Sequence, residues 1–61
     1  MYTIMYWTSK DELRAVYIDE TGPACNHEFH FLPEHLIEPP LFETSAEAFA
    51  YIAEFHPEMQ P

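Results

Sequence analysis

Four residues with metal-ligating or nucleophilic side chains lie close together in this chain, as Cys25-x-His27-x-x-His30-x4-His35. Zinc takes thiolate and imidazole ligands, and four donors within eleven residues would cost little loop entropy to gather. The spacing matches none of the common zinc arrangements. On a strand running through residues 27–32, His27 and His30 would also point to opposite faces. The reading is therefore a set of ordinary polar and half-buried side chains, with neither metal nor other cofactor. Catalysis finds still less to work with. Pairs such as Asp19/Glu20 and Glu34/Glu38 could in principle act as acid and base, but acids are frequent enough here that such pairings arise by chance. A glycine-rich phosphate loop, a Ser-His-Asp order and a nucleophile elbow are all missing from the sequence. The expectation is a protein that is not an enzyme.

Carboxylates are the remaining chemistry. The 61 residues hold eleven Asp and Glu against Lys10 and Arg14, for a formal net charge of −9. After Arg14 no Lys or Arg recurs, while Asp19, Glu20, Glu28, Glu34, Glu38, Glu43, Glu47, Glu54 and Glu58 follow, spread through the folded elements without forming a run. Ordinary soluble surfaces mix both signs. An unmixed acidic surface repels itself, yet it speeds encounter with basic partners. Direct nucleic-acid binding is disfavoured because little here could neutralise phosphates. Anionic membranes are disfavoured on the same ground.

These groups need a scaffold. A chain this short buries only about 60% of the surface its unfolded form exposes. The single cysteine excludes an intrachain disulfide as a staple and fits a reducing compartment. Met1 to Trp7 is too short to span a bilayer and lacks a basic leader, so a soluble cytoplasmic protein is expected. Ten aromatics, Tyr2, Tyr6, Trp7, Tyr17, Phe29, Phe31, Phe42, Phe49, Tyr51 and Phe55, separate it from disordered acidic chains. Some of them could remain on the surface as an interface or a homodimer seam.

Met1 to Thr8 reads as a strand, rich in Tyr, Thr, Ile and Trp. Leu13 to Asp19 is assigned as its antiparallel partner on the β-rich Val16-Tyr17-Ile18, although Ser9 with Glu12 also fits a capping box that would start a helix. Glu20-Thr21-Gly22-Pro23 is a turn, and His27 to Leu32 is a third strand ended by Pro33. Glu34 to Glu43, with Pro39-Pro40, reads as an extended connector pinned to the core by Leu36, Ile37, Leu41 and Phe42. Thr44-x-x-Glu47 then caps a helix closed by Pro57. Its apolar stripe is read as Phe49, Ile52, Ala53 and His56, flanked by Phe55. The predicted fold is a single α+β domain over 1–61, β-β-β-α, with a three-stranded antiparallel sheet under one helix.

On that helix Glu47 and Glu54 sit two turns apart, on the order of 10 Å, comparable with three steps of a DNA strand at about 3.4 Å. Glu58 could extend the row. In length, single-domain β-plus-α build and base-poor acidity over Ala15 to Pro61, the chain resembles small acidic inhibitors encoded by bacteriophages. These include DNA-mimic anti-CRISPR proteins and phage inhibitors of bacterial gyrase or RNA polymerase. The resemblance implies a cytoplasmic inhibitor, acting in a bacterial host, that occupies the nucleic-acid or PAM-reading groove of a CRISPR effector or another DNA-handling enzyme. Glu47, Glu54 and Glu58, with Asp19, Glu20, Glu34 and Glu38 on the loops, are the expected contacts to the basic surface of that partner. Trp7 or Tyr51 is expected to supply an exposed aromatic anchor. The alternatives are an acidic adaptor or antitoxin binding through a hydrophobic patch, and a small zinc protein.

Overall fold

The structure, a computed structural model, describes residues 1–23 and 28–59. Strand β1 (Tyr2–Trp7) is central. Strand β2 (Glu12–Asp19) pairs with it antiparallel from Tyr2↔Tyr17 to Trp7↔Glu12. On the opposite edge of β1 lie β4 (Phe29–His30), in register Tyr6↔His30 and Trp7↔Phe29, and an isolated bridge from Tyr2 to Phe42. Strand β3 (Gly22–Pro23) adds a two-residue ladder on the outer edge of β2, giving the order β3-β2-β1-β4. Helix α1 (Ser45–Phe55) covers one face of the sheet. The α+β class, an antiparallel sheet of three principal strands under one helix, is as the sequence predicts.

Local chemistry explains each boundary. The β1–β2 connection reverses the chain over Thr8 to Asp11, with Asp11 in the left-handed region at φ 53°. Asp is among the few non-glycine residues that enter this region readily. The Tyr6 hydroxyl donates to the Asp11 carboxylate and braces the loop. The β2–β3 turn is tight: Asp19 faces Gly22 across it, and Gly22 supplies the φ of 110° that a side chain would resist. Thr44 caps α1, its hydroxyl accepting from the Glu47 amide at 3.2 Å. The helix stops where Pro57 follows: His56 leaves helical geometry, though its amide still donates to the Ile52 carbonyl.

Alternation along β1 divides the core. Ile4 faces the helix together with Leu13, Ala48 and Ile52, and all four are fully buried. Tyr2, Tyr6, Ala15, Leu32, Phe42, Tyr51 and Met59 pack around that centre. Thr3, Met5 and Val16 are buried on the other face.

Helix α1 is turned from its expected orientation. Its inward stripe is Ala48, Tyr51 and Ile52; of the expected Phe49, Ile52, Ala53 and His56, only Ile52 is fully buried. Both sets satisfy helical spacing. The observed one lets small Ala48 bring the helix close to the sheet and places the Tyr51 ring against Phe42 at 5.4 Å and Phe55 at 4.6 Å. Phe49 is left 38% exposed and Ala53 is exposed.

The connector differs as well. A 3₁₀ turn at Pro33–His35 buries His35, and Phe42 reaches the core. Leu36, Ile37 and Leu41 do not pin the chain; they are 67%, 99% and 55% exposed. The tie that holds this segment is backbone, with the Tyr2 amide donating to the Phe42 carbonyl and the reverse, at 2.7 and 2.8 Å.

Candidate acidic surface and cleft

The two cations are both engaged at the loop end of the β1–β2 hairpin. Lys10 Nζ lies 5.9 Å and the Arg14 guanidinium 5.4 Å from the Trp7 ring. Trp7 also stacks on Phe29, with centroids 5.4 Å apart and planes inclined by 20°. Its indole N–H donates to Glu28. Arg14 pairs with Glu12 at 2.8 Å. Cation–π contacts at these distances are worth about 0.5–1 kcal/mol each at exposed sites. Their larger consequence is where they hold the positive charge. Trp7 is thus an internal platform instead of the exposed anchor expected for it, and Tyr51 is half-buried in its aromatic cluster. Among the described residues the exposed aromatic rings are Tyr17, Phe49 and Phe55.

Each of the seven predicted contact carboxylates is exposed. Asp19 ends β2 and Glu20 follows it in the turn. Glu34 sits in the 3₁₀ turn at Pro33–His35, and Glu38 in the bend after it. Glu47 is in the first turn of α1, Glu54 in its last, and Glu58 in the short 3₁₀ turn Pro57–Met59. Seven residues at about 100° each bring Glu54 back to within roughly 20° of Glu47, so the two share one flank of the helix. That flank lies away from Ala48 and Ile52.

Asp19 and Glu20 come together for a different reason. With Met1, Tyr17, Ile18 and Leu41 they line a cleft of about 350 Å³ at the open end of the hairpin. Sequence reasoning missed this grouping, because Leu41 arrives from a distant segment through the Tyr2–Phe42 bridge. Tyr17 is set edge-on against Tyr2 at 5.6 Å and 81°. The Asp19 carboxylate accepts from the Thr21 hydroxyl at 2.6 Å and the Thr21 amide at 2.9 Å. These bonds, the hydroxyl's first, hold its pKa below the ordinary carboxylate value.

Of the metal-ligand candidates, Cys25 and His27 lie outside the described residues. His30 is exposed on β4 and His35 is buried, with its ring 6.5 Å from that of Tyr51. Among the described residues no group of three or more His, Cys, Asp or Glu is placed to hold a metal ion. Among them, too, no helix is long and apolar enough to cross a membrane.

The fold and surface thus define a small α+β domain whose Lys10 and Arg14 are gathered at one end, with exposed carboxylates on the turns and the helix flank. No protein family, curated protein or solved structure matches the chain.

Proposed function

We propose that the protein is a non-enzymatic DNA-mimic inhibitor. It binds the basic nucleic-acid groove of a bacterial DNA-handling enzyme, a CRISPR effector or another, and keeps DNA out. The observation that carries this reading is the separation of charge. Lys10 and Arg14 are held over Trp7, so Glu47, Glu54 and Glu58 stand on a helical flank and turn with no cation interspersed. The helix is capped and packed on the sheet, so its carboxylates keep their spacing. Rigid charges at fixed intervals suit a groove built for phosphates better than a flexible acidic tail does.

The test is capture from a bacterial lysate on immobilised protein, followed by elution with duplex DNA at constant ionic strength. The reading expects a DNA-binding protein that DNA releases and that a folded Glu47→Lys/Glu54→Lys variant fails to capture. A partner that stays bound at saturating DNA would contradict it. The exposed Leu36, Ile37 and Phe55 favour a second reading, an adaptor that docks through an apolar patch. Under that reading Ile37→Ser would abolish capture while the double charge reversal would not.

A further inference from the structure

The open-end cleft is unused by the helical row of carboxylates, and its lining has a distinct chemistry. Met1, Tyr17, Ile18 and Leu41 give it apolar walls, and Asp19 and Glu20 give it negative charge. At about 350 Å³ it is at the small end of ligand-pocket sizes, which run from about 300 to 1,000 Å³. That is ample room for one long side chain.

We propose that this cleft receives a single arginine side chain from the basic protein partner. The inference rests on the reading of the molecule as a ligand for a basic protein surface, and it adds where one specific contact is made. Arginine matches the walls and the charge together. Its aliphatic stem packs on Leu41 and Met1, its planar guanidinium stacks on Tyr17, and its fork of N–H donors meets a carboxylate. Tyr17 is ready for stacking, since 48% of it is exposed while Tyr2 fixes its plane from the edge. Two hydrogen bonds from Thr21 hold the Asp19 carboxylate in place.

Charge complementarity selects the occupant. Neither Lys10 nor Arg14 can fill the cleft, because both sit over Trp7 at the far end of the hairpin. Five residue steps separate Tyr2 from Trp7, a distance of about 17 Å. Among the described residues neither Asp19 nor Glu20 is in an ion pair. A lysine could enter, but it would supply a point charge without the planar face that Tyr17 can stack on.

The probe is the capped tripeptide acetyl-Ala-Arg-Ala-amide, titrated into ¹⁵N-labelled protein. Its citrulline analogue, which has nearly the same shape without the charge, is the control. The expected result is saturable shifts confined to Tyr17 to Glu20 and Leu41, with the citrulline peptide at least tenfold weaker. Asp19→Asn, which keeps an oxygen for Thr21, should weaken the arginine peptide about tenfold, and Leu41→Ala should weaken it as well. Equal binding of the citrulline peptide would overturn the proposal by making the cleft merely apolar. So would unsaturable shifts spread over Glu47 and Glu54, or an Asp19→Asn variant that binds as wild type does. Agmatine binding tighter than the peptide would assign the cleft to a free small cation, and the proposal would fall. Loss of the cleft leaves DNA displacement by the helical carboxylates standing. Peptide binding without DNA displacement leaves the cleft standing and removes the mimic.

Discussion

Truncating Ile52 should unfold the domain, whereas truncating Phe49 should not. Ile52 is fully buried at the centre of the α1–sheet contact, against Ile4, Leu13 and Ala48, none of which exposes any surface. Neighbours so enclosed have little room to collapse, and a buried Ile→Ala change costs about 2–5 kcal/mol. A 61-residue domain holds roughly 3–9 kcal/mol at about 0.05–0.15 kcal/mol per residue, so much or all of the stability goes. Phe49, at 38% exposed, keeps about three-fifths of its burial. Scaling the roughly 1.5–3 kcal/mol of a buried large apolar side chain by that fraction leaves about 1–2 kcal/mol. Urea titration followed by far-ultraviolet circular dichroism compares the two variants. Ile52→Val, expected to cost about 0.5–1.5 kcal/mol, supplies a measurable core variant if Ile52→Ala does not fold. Refutation would be a Phe49→Ala protein that is unfolded while Ile52→Ala melts near wild type. The helix would then present the opposite flank to the sheet.

Other outcomes follow from buried polar groups and from the cap. Thr3 is fully buried and its hydroxyl oxygen has no hydrogen-bond partner, so Thr3→Val should raise stability by about 1 kcal/mol, read as a higher urea midpoint. Thr44→Ala should cost about 1 kcal/mol by removing the acceptor for the Glu47 amide, measured the same way. Burial lowers the pKa of His35 from its ordinary value, opposed by Glu34 and reinforced by His56. The unfolded chain therefore takes up the proton first. The stability contribution of this group is complete above about pH 6.5 and is lost as the pH falls through the lowered folded value. Urea midpoints measured from pH 7.5 to pH 5 should fall for wild type and fall less for His35→Leu.

How far the fold could be read in advance depended on which residues had competitors. The first two strands were legible from their β-branched and aromatic residues, although Ser9 with Glu12 left a helix open for the second, and the α1 boundaries from Thr44, Glu47 and Pro57, whose backbone chemistry is local. The helix orientation was not local. Two stripes had helical spacing, and the choice between them lay with Phe42 and the sheet, which reach α1 only in the folded chain. Leu36, Ile37 and Leu41 were misread because apolar residues beside prolines were assigned to the core, while two Tyr2–Phe42 backbone hydrogen bonds held the connector instead. The exposure of the seven carboxylates was legible from their type alone. Their electrostatic isolation was not, since it depends on Lys10 and Arg14 meeting over Trp7.

Mutual exclusion tests the central claim most directly. A captured partner is loaded with fluorescently labelled duplex DNA, and the protein is added at two salt concentrations while anisotropy is followed. The account predicts that wild type releases the DNA and does so less effectively at the higher salt, because attraction between exposed charges is screened beyond about 8 Å at physiological ionic strength. It also predicts that the folded Glu47→Lys/Glu54→Lys variant releases none at either concentration. A ternary complex in which partner, DNA and wild-type protein stay bound together would contradict the account.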